Sequence, residues 1–246
     1  ISIFISGKRP TGSSDPYALR RNLNGVIKII WDYELDLSLE NLFDDLLDLW
    51  KISLPNINFI KEQVLDDLIE FLIQRIVSHL EELFLDKQLI NAICSTDEIY
   101  KQRIINIVDL KNRIKSIVLL KEKDEFDEIQ NVITRVSKLA NSGNLDKDIL
   151  LSKNYINPDL FEKDCESRVF KFVRELENHF SSGNWDYFKL LTLFEINAKN
   201  IKDLFDNENG VLVMSEDLNI RNNRLNLLSL IRNYSLRIAD FTLLNS

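Results

Sequence analysis

A chain of 246 residues with a net charge of −8 is long enough to bury a sizeable core without help from a metal or a disulfide. Six glycines and four prolines are few for this length, so long helices with few turns are expected and the fold class is predicted to be all-α. The two cysteines, Cys94 and Cys165, lie far apart with no Cys or His at ligand spacing. This disfavours a disulfide framework or a zinc site and favours a reducing, cytoplasmic environment.

The sequence has no apolar run as long as a membrane span, and residues 1–5 are too short for a signal peptide. It does not begin with Met, so we expect it to be a piece of a longer protein. The acidic total argues against nucleic acid as a partner, but the charge is uneven. Residues 1–31 carry five Lys or Arg against one Asp, and residues 101–123 carry seven against two acids.

The first predicted elements are a short β-prone run at residues 1–6, a constrained loop at residues 8–14 and a helix at residues 17–31. Ser14 or Asp15 is predicted to cap this helix. Two interpretations stay open for the basic side chains around the loop: a solvated face, or a site for RNA phosphate or for the carboxylates of a partner domain. These side chains are Lys8, Arg9, Arg20 and Arg21.

An acidic amphipathic helix is predicted at residues 32–50, where seven carboxylates and no Lys or Arg alternate with leucines. A further helix is predicted from Asn58 or Ile60 to Leu85. Its His79 is interpreted as a surface or packing residue rather than a metal ligand.

Residues 101–123 predict one or two basic helices that either solubilise the chain or contact an RNA backbone. The charge run that follows is the predicted boundary between a first domain, residues 1–125, and a second, residues 126–246. Helices of the second domain are predicted after Phe126, after Asn157 and over residues 185–206, with a polar loop at residues 141–148. Their aromatic residues are expected to form a core.

The last predicted helix begins near Ser215, its expected N-cap, and is apolar around more than half of its circumference. The helical projection places Arg224 inside this apolar arc, where a cation needs a carboxylate, a phosphate or a base as its partner. An internal ion pair, with an acid such as Asp240 or Glu216, and a ligand contact are the two alternatives.

Both ends of the chain carry long motifs. Residues 8–21 read KRPTGSSDPYALRR, followed by Gly25; near the other end stand VMSED at 213–217, IRNNRL at 220–225 and LRIAD at 236–240. In order and spacing these resemble the signatures of the β subunit of bacterial heterotetrameric glycyl-tRNA synthetase. The chain looks like the C-terminal third of that longer subunit.

The resemblance implies the end of an HD-like helical domain, without its His-Asp motif, followed by a bundle similar to the DALR-type anticodon-binding domain of class I synthetases. It implies a cytoplasmic protein that binds tRNA(Gly), an α subunit and a second β subunit in an α2β2 assembly. In such an enzyme the α subunit carries the adenylate chemistry with ATP and Mg, so no cofactor and no active site are expected in this segment. The sequence itself has no Gly-rich phosphate loop and no nucleophile beside a His.

The resemblance and the local charge together predict tRNA contacts on the second domain, with Lys and Arg on phosphates and Asn and Arg on exposed base edges. The family's Asn is replaced by Lys138, which argues against a base-specific role at that position and leaves a phosphate role open. The predicted residues are Arg221, Asn222, Asn223 and Arg224, then Arg135, Lys138, Arg232 and Arg237. The alternative from another class is a purely structural domain that holds subunits or domains together without touching RNA.

Overall fold

A computed structural model describes residues 1–10, 15, 17–83, 85–94, 103–181, 185–206 and 208–244. Helices and no strand occur in these ranges, so the all-α prediction is confirmed. The chain divides into two compact units, Ile1–Asn112 and Arg113–Ser246, and the division falls inside a helix, before the boundary that was predicted after residue 125. Within the described ranges, no helix has the length and apolar character needed to cross a lipid bilayer.

The first unit is built around its longest helix, α4. Its helices are α1 (Ser2–Ile5), α2 (Leu19–Tyr33), α3 (Leu39–Ser53), α4 (Lys61–Glu82) and α5 (Lys87–Ile93), and α6 (Ile107–Lys121) begins in it. α1, α2, α3 and α5 all pack against α4. The side chains of Val64, Leu68, Leu72 and Ile76 are buried along one face of α4, as the helical spacing of the apolar residues predicts.

The β-prone prediction for residues 1–6 is wrong, because this segment forms helix α1. A strand needs a neighbouring strand to satisfy its backbone, and the described chain offers none. The helix instead buries Phe4 in a cluster with Leu47, Val64 and Leu68. Local β propensity therefore yields to burial of one aromatic side chain.

The carboxylate of Asp15, one of the two predicted caps, binds the first backbone N–H groups of α2, but the residue at the N-cap position is Ala18, three residues later. The Asp15 carboxylate accepts hydrogen bonds from the backbone N–H groups of Leu19 at 2.8 Å and Arg20 at 3.1 Å. The helix begins at Leu19 rather than at Tyr17, because Ala18 has a left-handed backbone with φ of 54°. Ser14 and most of the predicted loop, residues 11–14, lie outside the described residues.

The second unit is built around the C-terminal helix. Its helices are α7 (Phe126–Ala140), α8 (Asp164–Ser181), α9 (Tyr187–Asp203) and α10 (Leu218–Ser235), with 3-10 turns at Pro158–Leu160 and Phe241–Leu243. α10 packs against α7, α8 and the first 3-10 turn. From Asn223 to Ser235 every side chain of α10 except Asn226 is buried, as its wide apolar arc predicts.

The N-cap of α10 is Asp217, so the prediction of Ser215 is wrong. The Asp217 carboxylate accepts hydrogen bonds from the backbone N–H groups of Asn219 at 2.7 Å and Ile220 at 3.2 Å. A charged acceptor at this position is favoured by the partial positive charge of a helix N-terminus. Of Ser215 and Asp217, the residue with the carboxylate caps α10.

Candidate nucleic-acid interface

Arg224 lies at the centre of a buried polar network and is only 3% exposed. Its Nε donates to Glu166 Oε1 at 2.8 Å, and its Nη2 donates to Glu162 Oε2 at 2.7 Å. Its Nη1 donates to the carbonyl oxygen of Leu212 at 3.1 Å. The internal ion pair that was one of two alternatives is therefore present, with Glu166 and Glu162 as partners instead of Asp240 or Glu216.

The carboxylate of Glu166 also caps the start of α8. Glu166 is fully buried, and its Oε2 accepts hydrogen bonds from the backbone N–H groups of Glu162 at 2.8 Å and Lys163 at 3.0 Å. Burial opposes the charge on Arg224, but the two carboxylates outweigh burial and raise the pKa of its guanidinium above the usual value. Arg224 therefore stays charged and joins α10 to the α8 start.

Asn223 is also turned inward and is 4% exposed. Its Nδ2 donates to the carbonyl oxygen of Asn157 at 3.0 Å, and its Oδ1 accepts from the Asn157 backbone N–H at 2.8 Å. Both polar groups of this carboxamide are thus used to fix the segment before the first 3-10 turn.

Arg232 holds the polar loop that follows α7. It is 5% exposed, and it donates to the carbonyl oxygens of Leu145 at 2.9 Å and Ala140 at 3.3 Å and to Asn233 Oδ1 at 3.0 Å. Burial lowers the pKa of Arg232 below its usual value, since the partners are all neutral oxygens. Arg237 is also mostly enclosed, with its Nη2 3.6 Å from Asp148 Oδ1.

The other predicted residues of this unit face solvent. Asn222 is exposed and Arg221 is half-buried on the first turns of α10. Arg135 and Lys138 are exposed on α7, and the Arg135 guanidinium stacks 4.4 Å from the ring centroid of Phe205. These four side chains can meet a macromolecule without breaking an internal ion pair.

A cleft of about 370 Å³ opens beside Asn222. We call it the asparagine cleft, because six asparagines line it together with Tyr155, Ile156 and Leu160. The six are Asn154, Asn157, Asn219, Asn222, Asn223 and Asn226. No charged side chain contributes to this lining.

Sequence reasoning missed most of the asparagine cleft. Its α10 wall consists of asparagines at positions 219, 222, 223 and 226, a spacing that places all of them on one helix face. That spacing was the available signal. The opposite wall, with Asn154 and Tyr155, comes from a loop far away in sequence, which no local pattern connects to α10.

A second cleft, of about 630 Å³, is less suited to an anion although it contains lysines and an arginine. Arg168 donates to Asp164 at 2.5 Å and to Asp203 at 3.3 Å, and the Lys163 ammonium donates to the carbonyl oxygen of Glu208 at 3.1 Å. Arg168 and Lys163 are therefore already paired with oxygen acceptors of the protein, whereas Lys199 is exposed.

In the first unit, two of the basic residues near the chain start already bind other side chains. Arg9 forms an ion pair with Asp67, and the Lys8 ammonium donates to the Tyr17 hydroxyl at 3.4 Å. Arg20 is half-buried and Arg21 is exposed.

Comparison with known proteins decides the family. Residues 1–95 match the family model described as glycyl-tRNA synthetase beta subunit. Over 98% of this chain, it is 34% identical to a glycine–tRNA ligase beta subunit of Gloeothece citriformis and 35% identical to one of a Picosynechococcus species. The chain belongs to the glycyl-tRNA synthetase beta-subunit family. It spans about a third of the length of these relatives, since 34% of each is covered.

In this member of the beta-subunit family, the C-terminal motif has two kinds of residue. Asn223 and Arg224 are tied into the fold by the contacts described above, whereas Arg221 is half-buried and Asn222 is exposed. Residues that are adjacent in the motif therefore have different surroundings, because a helix turns successive side chains in different directions.

Proposed function

We propose that this chain is a tRNA-binding segment of a glycine–tRNA ligase beta subunit and that its second unit, Arg113–Ser246, recognises the anticodon of tRNA(Gly). The proposed role is non-catalytic: it supports glycylation by an α2β2 enzyme in which an α subunit uses ATP and Mg for the chemistry. Membership of the family supports the enzyme assignment. The observation that carries the anticodon role is the uncharged asparagine cleft next to the exposed Asn222.

The roles of the predicted residues divide by burial. We assign phosphate contacts to Arg221, Arg135 and Lys138, since their charges reach solvent. We assign base contact to Asn222, because a carboxamide both donates and accepts. We assign a structural role to the remaining predicted residues, because their polar groups are bonded to other parts of the protein. These residues are Asn223, Arg224, Arg232 and Arg237.

Fluorescence anisotropy of this chain with labelled tRNA(Gly) tests the proposal. We expect binding that weakens when the anticodon is replaced, and an Asn222→Ala variant that loses this discrimination. The matched control is Asn131→Ala, which removes an exposed asparagine from α7. Equal affinity for tRNA(Gly) and the anticodon-substituted tRNA would overturn anticodon recognition.

The second candidate function is association with another subunit or domain without RNA contact, and an apolar surface of the first unit favours it. Val26, Ile29 and Tyr33 form one exposed stripe on α2, with Tyr33 75% exposed. A stripe on α3 ends in Ile52, which is 77% exposed. Light scattering of this chain mixed with purified α subunit checks this candidate: we expect a complex that Ile52→Ser weakens, and the absence of any complex would remove it.

A further inference from the structure

We propose that Phe205 is a positioning residue for RNA binding: its ring supports the guanidinium of Arg135 and leaves the N–H groups at the edge of that group free for a phosphate. The inference rests on the proposed function and deepens it, since it states how one phosphate contact is oriented. Phe205 lies outside the sequence motifs, and its place beside Arg135 depends on the packing of α9 against α7.

The contact between Arg135 and Phe205 is a close one. The Arg135 Cζ atom lies over the ring, 4.4 Å from its centroid. Six other cation–ring contacts in the described part of the chain measure 5.6 to 5.9 Å. A guanidinium carries all five of its N–H donors in one plane, so a ring against its face leaves these donors available at the edge.

Phe205 belongs to a turn whose backbone is fixed on both sides of the ring. Its N–H donates to the carbonyl oxygen of Lys202 at 2.9 Å, and the carbonyl oxygen of the buried Leu204 accepts from the N–H of Val211 at 2.9 Å. The Asp206 carboxylate accepts two further backbone hydrogen bonds in the same turn, at 2.8 Å and 3.0 Å. The ring is therefore a firm support, and stacking on it restricts the rotamers of the long side chain above it.

The guanidinium of Arg135 has no competing carboxylate. Within the described residues, this exposed side chain takes part in no ion pair. Glu128, two turns earlier on the same face of α7, is instead bound by Lys202 from α9. Lys138, three residues beyond Arg135 on this face, is also exposed and can bind a neighbouring phosphate. The face of α7 is therefore positive where the ring supports it.

An arginine that is already oriented binds phosphate better than a mobile one. A long side chain that is immobilised only on binding loses rotamer entropy, which is equivalent to about 2- to 10-fold in affinity. The planar fork of a guanidinium also meets two phosphate oxygens at once, which the ammonium group of a lysine cannot do. Both advantages depend on the direction in which the ring holds Arg135.

The test measures binding of this chain to labelled tRNA(Gly) by fluorescence anisotropy over a series of salt concentrations. We expect Phe205→Leu, which removes the ring and keeps an apolar side chain, to weaken binding about 2- to 10-fold. The slope of log affinity against log salt concentration should stay as in the wild type, because no charge is removed. Phe205→Tyr should bind as the wild type does, since it keeps the aromatic face.

Arg135→Lys provides the second arm of the test, because it keeps the charge and loses the planar fork. Alone it should weaken binding about 2- to 10-fold. Combined with Phe205→Leu it should weaken binding hardly more than either substitution does alone, since the ring orients a fork that is then absent. Independent effects would multiply instead.

Phe188→Leu is the matched control. Phe188 is a phenylalanine of α9 with the Lys123 ammonium 5.6 Å from its ring centroid, but that ammonium is bound to Glu195. Its replacement should leave tRNA affinity unchanged. Thermal melting of each variant sets a temperature at which all of them are folded, and affinities are compared there.

The outcomes separate the inference from the proposed function. If the wild type binds tRNA(Gly) and Phe205→Leu binds it equally well, Phe205 does not position Arg135 and the proposed function stands. The same conclusion holds if the effects of Phe205→Leu and Arg135→Lys multiply. If the wild type fails to bind tRNA(Gly) at low salt, both are overturned.

Discussion

At the residue scale, two arginines on one helix are buried in opposite ways. Arg224 is neutralised by carboxylates, with Glu166 itself fully buried, whereas Arg232 is surrounded by carbonyl and amide oxygens. A buried ion pair adds little net stability over an apolar pair, but removal of one partner leaves an uncompensated charge. Arg224, one of the two arginines of the IRNNRL motif, therefore has a structural role that must be separated from RNA binding.

Replacing Arg224 by Ala should lower the free energy of unfolding by about 3–5 kcal/mol, because Glu166 would stay buried without its cation. Urea denaturation followed by circular dichroism measures this. Arg221→Ala, on the same helix but half-buried, should change stability by less than about 0.5 kcal/mol. An Arg224→Ala variant that melts like the wild type and loses only tRNA affinity would contradict the structural role.

Among the described residues of the first unit, His79 is a buried titratable group, 7% exposed, with its ring 5.4 Å from that of Trp31. Burial lowers its pKa below the ordinary value, against smaller opposing effects of Glu82 and Asp32. The unfolded chain then binds a proton more readily than the folded chain does. We expect the free energy of unfolding to fall as pH drops below about 6.5, the ordinary histidine pKa. His79→Phe, which keeps a ring against Trp31, should reduce this loss between about pH 6.5 and 5; an unchanged pH dependence would show that other groups cause it.

At the element scale, α10 organises the second unit through its inward-facing polar residues as well as its apolar arc. Three consecutive residues bind one loop: Arg232 bonds to Leu145, Asn233 to Asp146 and Ile149, and Tyr234 to the Leu150 carbonyl at 2.6 Å. Because the loop is held through its backbone carbonyls, its own side chains matter little. The side chains of α10 determine its conformation.

Asn233→Ala tests this dependence. Its Nδ2 donates to the carbonyl oxygens of Asp146 at 2.8 Å and Ile149 at 2.7 Å, and its Oδ1 accepts from Arg232. Loss of these bonds leaves buried groups unsatisfied at about 1–3 kcal/mol each, so we expect destabilisation on the order of 3 kcal/mol. Hydrogen exchange should become faster at residues 144–150 before it changes in α9. Uniformly faster exchange across the unit would contradict a local role.

Apart from α1, which was predicted to be β-prone, the long helices and their buried faces could be predicted from apolar spacing. The burial of Arg224 inside the apolar arc of α10 also followed from that spacing, since position on a helix is a local property. Its partners could not be predicted, because Glu166 lies 58 residues away and packing of α8 on α10 selects it. The asparagine cleft could not be predicted for the same reason: Asn223 and Asn226 bond to residues 66 and 71 positions away in the sequence.

At the scale of the whole molecule, a chain with net charge −8 is proposed to bind a polyanion. The net charge is less important for binding than the cations that reach solvent. Cations that are buried, or paired with a carboxylate of the protein, are less available to a phosphate. Lys202 pairs with Glu128, and Lys123 Nζ lies 2.6 Å from Glu195. In the second unit the proposed phosphate contacts are Arg221, Arg135 and Lys138, although other lysines of the unit, Lys115, Lys153 and Lys171 among them, are also exposed.

This small set predicts a shallow salt dependence. Each phosphate neutralised on a single strand contributes about −0.7 to the slope of log affinity against log salt concentration, so three contacts give a slope of about −2. Alanine at Arg221, Arg135 or Lys138 should reduce the steepness by about 0.7 each and weaken all tRNA sequences equally. Lys28→Ala, an exposed lysine of the first unit, is the charge-matched control and should leave the slope unchanged. A much steeper slope that Lys28→Ala also reduces would place phosphate contacts on the basic α2 of the first unit, and the acidic total would then conceal a second binding surface.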